Sequence, residues 1–167
     1  PRCHVVCLDP ATGDFRWGLD LEKQYSVEVP FWYTGQCPLV VHNTLILAVG
    51  GTALMIGVDV ATGTVLWETP NPNGWKMSHA SVMPMTYGGK TMAVYPAIGG
   101  VCGISLLGDD VGQILWETME FAPSVAAPSP VILGNGHVFL TAGYGYGGAV
   151  LQGKSDNGRF HASLHQP

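Results

Sequence analysis

The sequence predicts an all-β fold of repeated four-stranded antiparallel sheets, about three and a half of them in 167 residues. Three observations carry this. A Gly-x-x-x-Trp unit recurs as Gly13 with Trp17, Gly63 with Trp67 and Gly112 with Trp116, so the tryptophans lie 50 and 49 residues apart. A second, offset series, Pro38, Pro84 and Pro130, is spaced 46 and 46 and leads the apolar runs LVV, MTY and VIL. No run of ten or more residues combines helical apolar spacing with freedom from Gly and Pro, which argues for low helix content. Two marker series with nearly one period signal a repeat architecture.

The elements follow in order. Residues 1–21 hold only the back half of a repeat, around LDPATGDFRWGLD. The first complete copy, 36–70, reads as PLVV, the turn HNT, LILAVG, ALMIGVD, the turn ATG and TVLWET. The second, 82–118, gives PMTY, GGK, TMAVYPA, GVCGISLL, DDVG and QILWET. A weaker copy, 128–165, gives PVIL, GNG, HVFLTAG, GAVLQG, SDNG and RFHASL, with GYGYGG (143–148) expected as a flexible loop. Four strands on tight turns at about 45 residues make one blade of a β-propeller. The expected domain is one partial propeller over 1–167. In the last blade Ala162, four residues after Gly158, stands where Trp is expected.

The turn Gly supplies a positive φ at least steric cost. Asp9 and Asp59 before it can bond the turn amides, so turn chemistry accounts for them before catalysis does. Trp17, Trp67 and Trp116 fall on the outermost strand, where a buried ring can grip the next blade and its N–H can find a carbonyl.

The pattern LDxATGxxxW with Pro-led inner strands resembles the PQQ-like β-propeller repeat of quinoprotein alcohol dehydrogenases and BamB-like proteins. The resemblance covers nearly the whole chain. It implies a ring of seven or eight blades and placement in the bacterial periplasm or on an exported protein. The chain opens PRCHVVCLDP, without Met or a signal-peptide pattern and inside an expected strand. It is therefore expected to be part of a longer protein whose remaining blades cover otherwise bare strand edges.

Composition excludes some functions. Seven Lys plus Arg against twelve Asp plus Glu give a charge of -5, with no cationic cluster for nucleic acid or an anionic membrane surface. No apolar stretch approaches the ~20 residues of a membrane-crossing helix. Cys3, Cys7, Cys37 and Cys102 form no CxxC pair and read as small buried hydrophobes. Cys3 and Cys7, expected on one strand, lie too far apart for a disulfide, at roughly 13 Å.

Function is sought in the loops from one blade's outer strand to the next blade's inner strand, since they converge on the channel mouth. The first holds VPFWYTGQCP, with Trp32, Tyr33 and Gln36; the second holds NPNGWKMSHASVMP, with Trp75, Lys76, His79 and Ser81. The third, FAPSVAAPSP, is bland. Aromatics with a few polar groups suit a sugar, a quinone-like ring or a peptide. Trp32, Tyr33 and Trp75 can equally plug the mouth by stacking on one another. His79 beside Lys76 suits acid–base work or an anion, but a His bonded to a neighbouring backbone is commoner.

By resemblance, an enzyme of this class would hold PQQ with a Ca²⁺ bound by Glu, Asn and Asp. Here Asp9, Asp59, Asp109, Asp110 and Asp156 fall at hairpin turns on the opposite rim, leaving Asp20, Glu22, Glu28, Asn71 and Asn73 on the channel side. A hard cation wants six to eight converging oxygens, and the sequence assembles no such set. Catalytic residues, metal ligands and a cofactor are therefore not expected. The leading expectation is a non-catalytic binding or scaffold module that meets a protein, a small molecule or a glycan at the channel mouth. A segment of a PQQ-dependent alcohol or sugar oxidoreductase and a carbohydrate-binding propeller are the alternatives.

Overall fold

The computed structural model describes residues 2–165. A two-stranded sheet, β1 (His4–Leu8) and β2 (Phe15–Asp20), comes first and runs into a five-residue helix, α1 (Leu21–Tyr25). Three four-stranded sheets follow. They are β3 (Leu39–Val41) to β6 (Val65–Pro70) with β4 (Thr44–Ala48) and β5 (Ala53–Asp59) between; β7 (Met83–Tyr87), β8 (Lys90–Ala97), β9 (Gly100–Ser105) and β10 (Ile114–Thr118); and β11 (Val131–Gly134), β12 (His137–Ala142), β13 (Gly147–Asp156) and β14 (Arg159–Leu164). Every sheet is an antiparallel meander in sequence order. This is a partial propeller of about three and a half blades.

The middle strands explain why so few charges suffice. Along β4 and the residue after it, Ile46 and Ala48 enter the core between the second and third sheets, while Leu47 and Val49 enter the core between the first and second. Along β8, Ala93, Tyr95 and Ala97 face back to the second sheet, and Met92 and Val94 face forward to the fourth. A strand covered on both faces reads as a continuous apolar run, and its period of two deals alternate side chains into two different seams.

The repeat is also written in hydrogen bonds between neighbouring sheets. Trp17 Nε1 donates to Val60 O at 2.9 Å, Tyr25 Oη to Glu68 Oε1 at 2.7 Å and Thr69 Oγ1 to Gly112 O at 2.7 Å. Cys37 N donates to Ser81 Oγ at 2.8 Å, and Ser81 N donates to Ser129 Oγ at 3.0 Å. These partners lie 43 to 48 residues apart, one repeat along the chain.

The glycine turns have a steric reason as well as a positive φ. A Cβ on Gly63 (φ 76°) would stand 2.7 Å from the Trp17 ring, and one on Gly112 (φ 81°) 2.9 Å from the Trp67 ring. Each indole thus lies over the next sheet's turn. The third seam differs. Nothing lies over Gly158, and Trp116, whose ring covers Gly103 of its own sheet as Trp67 covers Gly57, donates Nε1 to Met92 Sδ at 3.1 Å. Trp116 is buried, whereas Trp17 and Trp67 are half-buried.

Two local expectations change. Residues 143–146 form a tight turn rather than an open loop, and β13 begins at Gly147. Tyr146 ties that turn down by accepting from Ala122 N at 3.0 Å and packing edge-on against Phe121. Cys3 precedes β1 and is buried with Cys102, but Cys7 is half-buried and Cys37 is exposed, so burial accounts for only part of the cysteine set.

Candidate functional site

The three connections between sheets run over one face of the arc, joined there by the turns between second and third strands. Close backbone approach ties the two sets together. Lys76 and Ile98 form an antiparallel bridge, with N–H···O distances of 3.0 Å both ways. Thr52 N donates to Tyr25 O at 2.8 Å, and His79 N donates to Ala126 O at 2.9 Å.

The residues expected at the site separate into two groups. Trp75 is only 4% exposed and is closed in over Gly99 and Gly100, so its ring faces the core and not a ligand. Asn71 fixes it there, accepting from Trp75 N at 3.0 Å and donating to Trp75 O at 2.8 Å. Gln36 spends its side-chain amide on the backbone of Ala48, donating to O at 2.9 Å and accepting from N at 3.3 Å. Ser81 is engaged at both N and Oγ in the inter-sheet bonds described above. These three are structural in their contacts.

The second group is open to solvent. Trp32 is 55% exposed and meets the Tyr144 ring at 6.2 Å between centroids and 14° between planes. Phe31 stands edge-on to Trp32 at 5.0 Å, and the His79 ring lies 6.2 Å away at 55°. Lys76 pairs with Glu28, one of the acids expected on the channel side. Tyr33 is exposed beside them, but no aromatic partner joins it to the cluster. Tyr144 is the residue sequence reasoning missed. Its signal was present, since GYGYGG falls at a turn on the same face as the connections.

A cavity of about 420 Å³ lies against Trp32, His79 and Tyr144, walled by Val125, Ala127 and Pro128 of the third connection. A second hollow, about 180 Å³, shares Trp32 and His79 and contains Glu28, Lys76 and Ser124. The bland third connection therefore contributes the apolar wall.

Buried polar contacts hold this face in place. Ser78, next to His79, donates both N (2.7 Å) and Oγ (3.2 Å) to the fully buried Tyr95 hydroxyl. Burial pushes the Tyr95 phenol up to about 12 from an ordinary value of about 10, against the opposing pull of the Ser78 bonds. In the unfolded chain the phenol ionises near 10, so this contribution is intact below pH 10 and is lost as pH rises toward 12. The expected loss is on the order of 2–3 kcal/mol. Urea melts from pH 9 to 12 would show it on top of the losses from Tyr25 and Cys102, which burial also raises, and Tyr95→Phe would reduce that slope without abolishing it while starting about 1–3 kcal/mol lower because Ser78 N loses its acceptor.

Three of the turn acids are bonded in place. Arg16, with the Ala11 and Thr12 amides, holds the Asp9 carboxyl below the usual carboxylate range. Thr62 does so for Asp59 and Lys90 for Asp110. Among the described residues no three His, Cys, Asp or Glu side chains converge as a metal-binding group.

Sheets of this order, with glycine turns under the indoles of preceding blades, define an arc of a β-propeller of PQQ-like blades. A family model described as outer membrane protein assembly factor BamB matches residues 2–163, and the chain belongs to that family. BamB from Moraxella catarrhalis is similar in structure, with a TM-score of 0.53 and 12% identity over 89% of this chain and 39% of that one. Hsv2 from Kluyveromyces lactis aligns with a TM-score of 0.47 and 7% identity over 74% of this chain and 43% of that one. The chain thus spans about two-fifths of the length of either structure. A comparison with curated proteins finds no match.

Proposed function

We propose that this arc is part of a non-catalytic scaffold propeller of the bacterial cell envelope, which holds a protein partner on its connection face. The observation that carries the reading is the distribution of side chains on that face. Around Trp32 it presents exposed aromatics and the Lys76–Glu28 pair, while Glu22 and the Asp20–Lys23 pair line a separate hollow. A face of that composition resembles the core of a protein interface, where aromatics are enriched and free charges depleted. The family description, an outer membrane assembly factor, supports the same role and a periplasmic or outer-membrane-associated place. No helix among the described residues is long and apolar enough to cross a membrane.

The test has two arms. Deleting the gene for the parent protein in its host should lower the level of assembled outer-membrane proteins. Adding PQQ and Ca²⁺ to the purified parent protein should give neither a bound-quinone absorbance nor dye-linked alcohol oxidation. Quinone-dependent oxidation, or unchanged outer-membrane protein levels, would overturn the proposal.

A further inference from the structure

We infer that the slot framed by Trp32, His79 and Tyr144 binds an extended, proline-bearing peptide segment. The inference rests on the scaffold reading and specifies the chemistry of the partner. Three inter-blade connections and a turn of the last blade all reach this slot, so it is a product of the assembled arc rather than of any one blade.

Among the described residues the Trp32 and Tyr144 rings pack on each other and remain open to solvent. Tyr144 is 79% exposed and Trp32 more than half exposed, in a chain that has three apolar seams available for burial. Tyr144 also adopts φ 56°, and Tyr33, next to Trp32, adopts φ 65°. Bulky side chains avoid this left-handed region, and such outliers persist where the surrounding structure imposes them, often at ligand clamps. Here the strained loops hold aromatic faces outward into water.

The walls choose between ligands. Around the larger cavity, Val125, Ala127 and Pro128 join the two aromatic rings, and the side-chain polar groups of that lining are the His79 ring, the Trp32 indole N–H and the Tyr144 hydroxyl. A sugar entering there would strip water from a rim of hydroxyls and leave most of them unpaired, which is unfavourable. A proline ring has no N–H and no hydroxyl, and its flat apolar face stacks on an indole. Its polyproline II backbone is already extended, so little conformational freedom is lost on docking into an aromatic-lined groove. The adjoining hollow, with Glu28 and Lys76, then receives the polar residues that flank the proline.

Calorimetric titration of the parent protein with a decaproline peptide tests this. Saturable binding is expected, weakened about tenfold or more by Trp32→Ala and by Tyr144→Ala, as for anchor residues in an interface, and largely kept by Trp32→Phe. Both alanine variants should melt with the unmodified protein, because both rings are exposed. The inference is overturned by absent saturation, by binding indifferent to both alanine variants, or by maltohexaose saturating the slot with the same sensitivity while decaproline does not. Any of these leaves the gene-deletion result intact, so the scaffold reading fails or survives on its own experiment.

Discussion

Trp116→Ala destabilises the chain by about 3–5 kcal/mol, the largest loss expected from the three repeat tryptophans. The ring is buried in the core shared by the third and fourth sheets, which also takes in Val138, Leu140, Leu151 and Phe160 of the fourth sheet. It also fills the space over Gly103, where a Cβ would come within 2.2 Å of its nitrogen. Removing it leaves a cavity bounded by two packed sheets, which cannot collapse without moving both. Trp17 is half-buried over Gly63, so Trp17→Ala should cost about half as much, including roughly 1 kcal/mol for its bond to Val60 O. Urea denaturation of the two variants decides the matter. Equal losses, or a larger loss at Trp17, would show that the third seam does not depend on its indole.

That comparison also shows how far the sequence can be read. The Gly-x-x-x-Trp spacing exposes the repeat because the Trp17 and Trp67 indoles each need a turn without a Cβ in the next sheet, at Gly63 and Gly112. Alternation along LILAVG and TMAVYPA places the seams for the same reason, since a doubly covered strand tolerates no charge. The connection face is less legible. Trp75 and Trp32 look alike as letters, but Gly99 and Gly100 give one a bed in the core and nothing comparable lies beneath the other. Tyr144 joins Trp32 through a contact more than a hundred residues long, set by how the sheets fan out and not by any local pattern. The different behaviour of Trp116 was hidden too, because Met92 and Gly158 lie in separate blades.

Gly50→Ala should destabilise the chain by about 3–5 kcal/mol and disorder the slot at the same time, although Gly50 touches no aromatic residue of it. Two costs add there. The backbone has φ 64°, in the region that disfavours any L side chain by roughly 1–2 kcal/mol. A Cβ would also lie 2.2 Å from Met77 N and 2.6 Å from Lys76 C, which are main-chain atoms and cannot swing aside as a side chain would. The segment that must yield is the one whose Lys76 bridges Ile98 and whose next residues, Ser78 and His79, are bonded to Tyr95 and Ala126. Displacing it would carry His79 away from Trp32 and open the wall between the two hollows. Gly74→Ala is the matching control, with φ 63° and nothing within 4 Å of the added methyl. It should cost only the conformational part, about 1–2 kcal/mol. Chemical denaturation gives the difference between the two variants, which isolates the clash with the Lys76–Met77 backbone. If both lose the same amount, the close approach of the β4–β5 turn to the second connection is not what positions this face.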